Sequence, residues 1–121
     1  MANTFKQINF AAEPNSAGTP YVMYTVASST TAVIIGLLIT NIHTTSVTTE
    51  VELVSTTANR GGAHNVTNGT SFLVKDVSIP NGSTLELLTG GKVVLEARDV
   101  LRIDCSVADK LSGSLSVLEI T

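Results

Sequence analysis

Side chains capable of covalent or metal chemistry are few in this chain and lie far apart. His43 and His64 both fall in predicted loops, and no HxxH, HExxH or Cys/His cluster accompanies them, which argues against a zinc site. A metal shared by one histidine from each of several subunits stays open. Asp99 and Asp104 are five positions apart on one predicted strand, so their carboxylates should lie on opposite faces and not form an acid/base pair. We therefore expect no enzyme activity, no catalytic residue, no metal and no cofactor.

The remaining reactive groups favour structural roles. Glu50 and Glu52 share one face of a predicted strand, but that face is expected to meet solvent or a neighbouring subunit. No serine stands in a GxSxG elbow, and the glycine pairs lack the strand-to-helix setting of a phosphate loop. Cys105 is the only cysteine, so no intrachain disulfide can form. It alternates with apolar residues, which predicts a buried core position; the alternative, a reactive thiol, needs an electropositive and part-exposed setting.

The composition describes one small domain that is poor in charge. The chain has 121 residues, of which 43% are hydrophobic and 14% charged, against about 25% charged in an average soluble domain. Its net charge is −3 and its seven basic residues are scattered, so nucleic acid is not an expected partner. Surface charge normally opposes association. We therefore expect other subunits to cover much of the surface, and a monomeric mass by light scattering would contradict this.

The first half of the chain contains three predicted strands, at residues 21–26, 32–42 and 47–54. They are rich in Val, Ile and Thr, whose branched Cβ atoms favour the pleated surface of a sheet. Residues 32–39 are apolar on both faces, which predicts a central strand covered on both sides, and Gly36 within it predicts a bulge or close backbone approach. Residues 47–54 alternate apolar and polar, as expected of a strand with one buried face.

The second half continues the pattern. Strands are predicted at residues 71–79, 83–88, 92–97, 99–107 and 112–120, with turns at Asn81-Gly82 and at residues 89–91. Eight or nine short strands without a helical stretch predict an all-β fold, an antiparallel β-sandwich or jelly roll of about eight strands occupying residues 20–121.

Two segments are the candidate contact regions. The sequence of residues 1–19 predicts an N-terminal arm or edge strand followed by a loop. Such arms often become ordered only when they lie across a neighbouring subunit. The alternative is a frayed terminus. Residues 55–70 form the longest stretch without an apolar run, and loops this long in compact domains are usually either functional or disordered. The candidate interface residues in these two segments are Phe5, Phe10, Arg60, His64, Asn65 and Asn68.

Three segments carry a resemblance to known proteins. YTVASSTTAVIIGLLITNI, SFLVKDVSIPNGSTLELLTGGKVVLEARDVLRI and the ending LSVLEIT resemble small β-sandwich structural proteins of tailed bacteriophages, which are capsid decoration (cement) proteins or neck and tail components. The resemblance covers most of residues 21–121. It implies homo-oligomers docked on a shell or tail, with no catalytic residues. The chain departs from the pattern at Arg98, where similar sequences often have glycine, so the conformation of that turn is open.

The function expected from this resemblance and from the composition is that of a virion structural protein. Our first expectation is a capsid decoration protein that stabilises the head by bridging capsomers. Its partner would be the major capsid protein or another virion protein, and a trimer would suit local three-fold positions. The alternative is a tail or neck component, possibly contacting a host-surface glycan; a small β-sandwich enzyme is a distant third.

The expected location is the virion, after assembly in the host cytoplasm. The N-terminus lacks the apolar region of a secretion signal. The longest apolar run, residues 32–39, is too short to span a bilayer, so no membrane partner is expected.

Overall fold

Nine strands and no helix occur in the part of the chain that the computed structural model describes, residues 2–55, 69–88 and 91–121. Each of the eight strands predicted between residues 21 and 120 is present, with ends that differ by up to two residues. The strands are β1 (Asn3–Glu13), β2 (Tyr21–Thr25), β3 (Thr31–Asn41), β4 (Val47–Val54), β5 (Thr70–Ile79), β6 (Thr84–Leu87), β7 (Val93–Leu95), β8 (Val100–Cys105) and β9 (Leu111–Ile120).

The strands form two sheets with antiparallel pairing throughout. The first sheet has the order β1-β9-β3-β6, and β7 also pairs with β3; the second has the order β2-β8-β4-β5. The prediction of an antiparallel β-sandwich is therefore confirmed. Because β6 and β7 pair with successive parts of β3, they act as one interrupted strand. Counted in this way, the described residues form eight strands in the interleaved arrangement of a jelly roll.

The core lies between the two sheets and is built from alternate residues of each strand. In β8, Leu101, Ile103 and Cys105 are buried and the residues between them are partly exposed, as the alternation predicted. β4 follows the same rule with Val47, Thr49 and Val51 inward. The largest fully buried side chains are Ile34, Leu37, Ile39, Ile79, Leu95, Leu101, Ile103, Leu111, Leu115, Val26, Val47 and Val51.

Gly36 marks a bulge in β3, as predicted. The register with β9 shifts between Ile34, which lies opposite Val117, and Gly36, which lies opposite Ser116. One extra residue, Ile35, is therefore accommodated in β3. The bulge leaves Ile35 partly exposed on the outside of the sandwich.

Two turns show why the chain reverses where it does. Gly82 has a φ of 72°, and the Ser83 amide donates to the carbonyl of Pro80, so the Asn81-Gly82 prediction is confirmed. Arg98 has a φ of 69° in the turn closed by the Asp99 amide and the Glu96 carbonyl. Arg98 therefore adopts the left-handed conformation that glycine favours, which answers the question left by the sequence.

A buried asparagine that was not predicted from the sequence connects two corners of the sandwich by hydrogen bonds. Asn41 is fully buried, and its side-chain amide donates to the carbonyls of Thr45 and Ile79 at 2.9 and 2.8 Å. Its side-chain oxygen accepts the His43 amide at 2.7 Å. These bonds join the β3–β4 connection to the end of β5 and satisfy a polar group that would otherwise be costly to bury.

The N-terminal segment is an edge strand in this structure. β1 pairs with β9 at the end of the first sheet, and Phe10 packs into the core with 7% of its surface exposed. One expectation was wrong: the double-sided apolar strand β3 is not covered on both sides by the described chain. Its inner face is buried, but Ile35 and Leu38 on the outer side are 38% and 44% exposed.

Candidate interaction surface

The outer face of the first sheet carries a continuous row of apolar side chains across four strands. The register places Phe5 opposite Leu118, Leu118 opposite Val33, and Val33 opposite Val94. Phe5 at the β1 end is 74% exposed and Val94 at the β7 end is 60% exposed. We call these four residues the apolar row. Its four aligned side chains form a contiguous apolar patch, the kind of feature that marks an interaction site on a soluble protein.

The row is extended by further apolar side chains of β3. Ile35 lies beside the row and Leu38 lies further along β3, and both line a shallow depression of about 330 Å³ together with Glu86 of β6 and Ser114 of β9. Beyond the depression the outer face becomes small and polar, and the hydroxyls of Thr40 and Thr84 lie 2.8 Å apart. The outer face is therefore apolar at one end and hydroxyl-rich at the other.

The outer face of the second sheet has the opposite character, because charged side chains pair across its strands. Arg102 of β8 forms an ion pair with Glu52 of β4, its cross-strand neighbour. Lys75 of β5 lies 2.7 Å from the carboxylate of Glu50. Glu50 and Glu52 were predicted to lie on an outer face, and they do, although Glu52 is largely buried beneath its partner. This face therefore carries two cross-strand ion pairs, together with the exposed apolar side chains of Val22 and Phe72.

A depression of about 210 Å³ on the second sheet collects three carboxylates, Glu50, Asp76 and Asp104. All three have partners: Glu50 and Asp76 lie 2.7 and 3.7 Å from the Lys75 ammonium, and Asp104 accepts the amide of Gly18 at 3.1 Å. Across residues 2–55, 69–88 and 91–121, no group of three His, Cys, Asp or Glu side chains is arranged to hold a metal ion.

One end of the sandwich is closed by a polar network between the sheets. The Tyr24 hydroxyl of β2 donates to the carboxylate of Glu119 on β9 at 2.5 Å, and Lys6 of β1 lies 3.0 Å from the other carboxylate oxygen. The Tyr24 hydrogen bond, followed by that of Lys6, lowers the pKa of Glu119 below its usual value of 4.5. Burial, with the Glu119 hydrogen bond second, raises the pKa of Tyr24 above its usual value of 10.0.

These shifts define the pH range over which the network stabilises the fold. Because the folded pKa of Glu119 is lowered, its contribution is complete above pH 4.5 and is lost as pH falls below that value. Because the folded pKa of Tyr24 is raised, its contribution is complete below pH 10.0 and is lost as pH rises beyond it.

Cys105 is a core residue, as its alternation predicted. Its side chain is buried and its thiol is free. Burial raises the pKa of the thiol, so little of the nucleophilic thiolate is present at neutral pH.

The predicted contact residues have different outcomes. Phe5 is the most exposed large apolar side chain of the described chain and begins the apolar row. Phe10 was a wrong choice for a surface contact, because it packs against Tyr21 at a ring distance of 5.7 Å inside the sandwich. The other four candidates, which lie outside the described residues and stay predictions, are Arg60, His64, Asn65 and Asn68.

Leu118, Val33 and Val94 were not among the contact residues predicted from the sequence. Their strands were predicted, but their alignment depends on pairings between distant parts of the chain. One available signal was overlooked. Phe5 and Phe10 are an odd number of positions apart, so a single regular strand must place them on opposite faces.

The fold defines the chain as an antiparallel β-sandwich, and comparisons with known proteins place it no more narrowly. No protein family and no curated protein matches the sequence. Among solved structures, similarity is found to a chain from Bacillus endospore appendages, described as a novel family of disulfide-linked pili. The TM-score is 0.48 and the sequence identity 17%, over 99% of this chain and 87% of that chain. The described residues contain no helix of the length and apolarity needed to cross a membrane.

Proposed function

We propose that the protein is a structural subunit of an assembled particle, in which another protein covers the outer face of the first sheet. The observation that carries this proposal is the apolar row, which runs from Phe5 through Leu118 and Val33 to Val94. Burying a large exposed apolar side chain stabilises a complex by about 1.5–3 kcal/mol. Several such side chains on one face of a sheet therefore supply a substantial driving force for docking.

The charge distribution supports the same proposal. The ion pairs Arg102–Glu52 and Lys75–Glu50 lie on the second sheet. Glu86 is the only charged residue that the register of the described strands places on the outer face of the first sheet. Charged groups are depleted at the centres of protein interfaces, because removing them from water is costly. The first sheet is thus suited to face protein and the second to face solvent.

The specific form of the proposal is a capsid decoration protein of a tailed bacteriophage that bridges capsomers. It rests on the sequence resemblance to small virion proteins. The major capsid protein would be the partner. A tail or neck protein that binds glycan would instead favour aromatic rings gathered in a groove, but the exposed rings Phe5 and Phe72 lie on different sheets.

The proposal is tested by binding to particles assembled without this protein. Val94→Ser removes an exposed valine from the apolar row, and Val22→Ser is the matched control, because Val22 is a 47% exposed valine on β2 of the second sheet. We expect Val94→Ser to weaken co-sedimentation with the particles roughly tenfold, since about 1.4 kcal/mol of lost burial corresponds to that factor. Val22→Ser should bind as the unmodified chain does, and equal effects of the two substitutions would contradict the proposal.

Two further measurements test the specific form. Electron microscopy of complete particles should show the chain on the capsid lattice; density confined to the tail or one vertex would support the alternative, and absence from particles would reject both. Particles lacking the protein should release DNA at a lower temperature than complete ones. Unchanged robustness would refute a cementing role.

A further inference from the structure

Three of the four described sheet edges are protected against pairing with another strand. β2 has only five residues and a register shift after Val22. β5 shifts register twice against β4, and its bulge carries Lys75 and Asp76, the latter with a φ of 52°. The edge opposite β1 is divided between β6, with four residues, and β7, with three. Short strands, bulges and edge charges are the usual devices that prevent edge-to-edge association.

β1 has fewer of these features: its charged residue Lys6 is paired with Glu119 of the adjacent strand, and its bulge lies after Phe10. It contains eleven residues and pairs with β9 without a register shift from Asn3 to Phe10. Nothing in the described chain pairs with its other side, because β1 ends the order of the first sheet. A long, regular and uncovered edge strand is a template for another chain.

The hydrogen-bond pattern shows which backbone groups are directed away from the sheet. Ala2 and Thr121 exchange both of their backbone hydrogen bonds, at 3.2 and 2.9 Å. Antiparallel ladders alternate between pairs that exchange bonds and pairs that do not. The residues of β1 that direct their N–H and C=O groups toward the free edge are therefore Asn3, Phe5, Gln7 and Asn9.

We propose that this edge pairs antiparallel with β1 of a second copy of the chain, around a two-fold axis. A second β1 is the occupant that the structure favours, because no other described edge offers a regular strand of comparable length. Antiparallel pairing of identical edges is self-complementary and closes after two subunits, so it gives a dimer and not a fibre. This inference concerns the free protein and does not depend on which particle the protein joins.

Side-chain complementarity selects the register of this pairing. Centring the axis on Phe5 places the ring opposite the partner subunit's Phe5, and cross-strand aromatic pairs stabilise antiparallel sheets. Asn3 then lies opposite the partner subunit's Gln7, and Thr4 opposite the partner subunit's Lys6. Centring the axis on Lys6 instead would place two lysines directly opposite each other, which is unfavourable.

The register centred on Phe5 also aligns the two apolar rows. Each row begins at Phe5 on β1 and runs across β9 and β3 to Val94 on β7. Pairing the two Phe5 residues therefore joins the rows end to end into one apolar line across eight strands. The dimer would present twice the docking surface of a single chain, on one continuous sheet.

The first test is the mass of the full chain in solution, measured by light scattering between 1 and 100 µM. The Gln7 N–H points to the free edge, so Gln7→Pro blocks the new pairing without removing a bond from the β1–β9 ladder. Gln7→Ala is the matched control, because both substitutions lose the weak side-chain contact to Ser114. We expect dimers of the unmodified chain and of Gln7→Ala, and monomers of Gln7→Pro.

A cross-linking test keeps the inference falsifiable if Gln7→Pro fails to fold. Cys105 is the only cysteine and is buried, so Phe5→Cys introduces a single exposed thiol. In the proposed register the two Cα atoms at position 5 lie about 5.5 Å apart, within the range of a disulfide. Mild oxidation should give at least tenfold more covalent dimer with Phe5→Cys than with Gln7→Cys, whose opposed residue is Asn3.

Three results would overturn the inference. These are a monomer at 100 µM, an oligomer unaffected by Gln7→Pro, or equal cross-linking at positions 5 and 7. The particle-binding test uses Val94, which lies at the far end of the row from β1. Failure of the dimer and failure of particle docking are therefore observed separately.

Discussion

We predict that Gly113→Ala destabilises the protein by about 3 kcal/mol, because Gly113 lies directly beneath the ring that anchors β1. Phe10 and Gly113 are cross-strand neighbours on β1 and β9. A Cβ on Gly113 would lie 2.5 Å from the Leu38 carbonyl oxygen and 2.5 Å from Cζ of Phe10. Ordinary contact begins at 3.4 Å, and the Leu38 oxygen belongs to the backbone of the adjacent strand. The cost should therefore reach the upper end of the range of about 1–3 kcal/mol for overpacked cores.

The matched control is Gly36→Ala, the same change in the neighbouring strand. An added Cβ at Gly36 meets nothing within 4 Å, so this variant should be neutral or slightly more stable. Urea denaturation followed by circular dichroism measures both free energies of unfolding. In a Phe10→Leu background the cost of Gly113→Ala should fall, since the ring atoms are gone, but the Leu38 oxygen should keep it above zero. Equal midpoints for the Gly113 and Gly36 variants would refute the placement of β1 on the sheet.

Three further predictions concern polar groups and turns. Tyr24→Phe should lower the free energy of unfolding at pH 7 by about 1.5–3 kcal/mol, the value of a hydrogen bond to a charged group. It should also reduce the loss of stability below pH 4.5, because the pKa of Glu119 would return toward its usual value. The same loss of stability below pH 4.5 in urea titrations of both proteins would contradict this prediction. Arg102→Met should lower the free energy of unfolding by about 2 kcal/mol, because it leaves the more buried Glu52 carboxylate charged and without its partner. Glu52→Gln should cost less, and a larger loss of thermal stability for Glu52→Gln than for Arg102→Met would contradict this prediction. Gly82→Ala should cost about 1–2 kcal/mol, the penalty of a positive φ for a residue with a Cβ, and a neutral effect in calorimetry would argue against the turn geometry.

Local signals in the sequence were sufficient to predict the strands and several of their details. The alternation of β8 placed Leu101, Ile103 and Cys105 in the core, because a period of two leaves one choice of inner face. Gly36 indicated the bulge in β3, and Asn81-Gly82 indicated a turn that requires a positive φ. Each of these features depends on residues close together in the chain.

The interaction surface could not be predicted in the same way. In β3 both faces are apolar, so alternation could not show which face would be covered and which would remain open. The pairing of β3 with β9 joins segments that are far apart in sequence, and this pairing aligns Val33 with Leu118. A surface made from one residue of each of several strands therefore becomes visible only when the register is known.

The few charged residues of the chain are distributed unevenly between the two sheets. The second sheet combines paired charges with protected edges at β2 and β5, features that keep a β-protein soluble and prevent strand addition. The first sheet combines the apolar row with the unprotected edge of β1. If the shortage of charge reflected composition alone, the apolar face and the open edge would have no reason to occur on the same sheet. Their coincidence supports the assembly role that we propose, because one sheet would then make the contacts while the other keeps the free protein in solution.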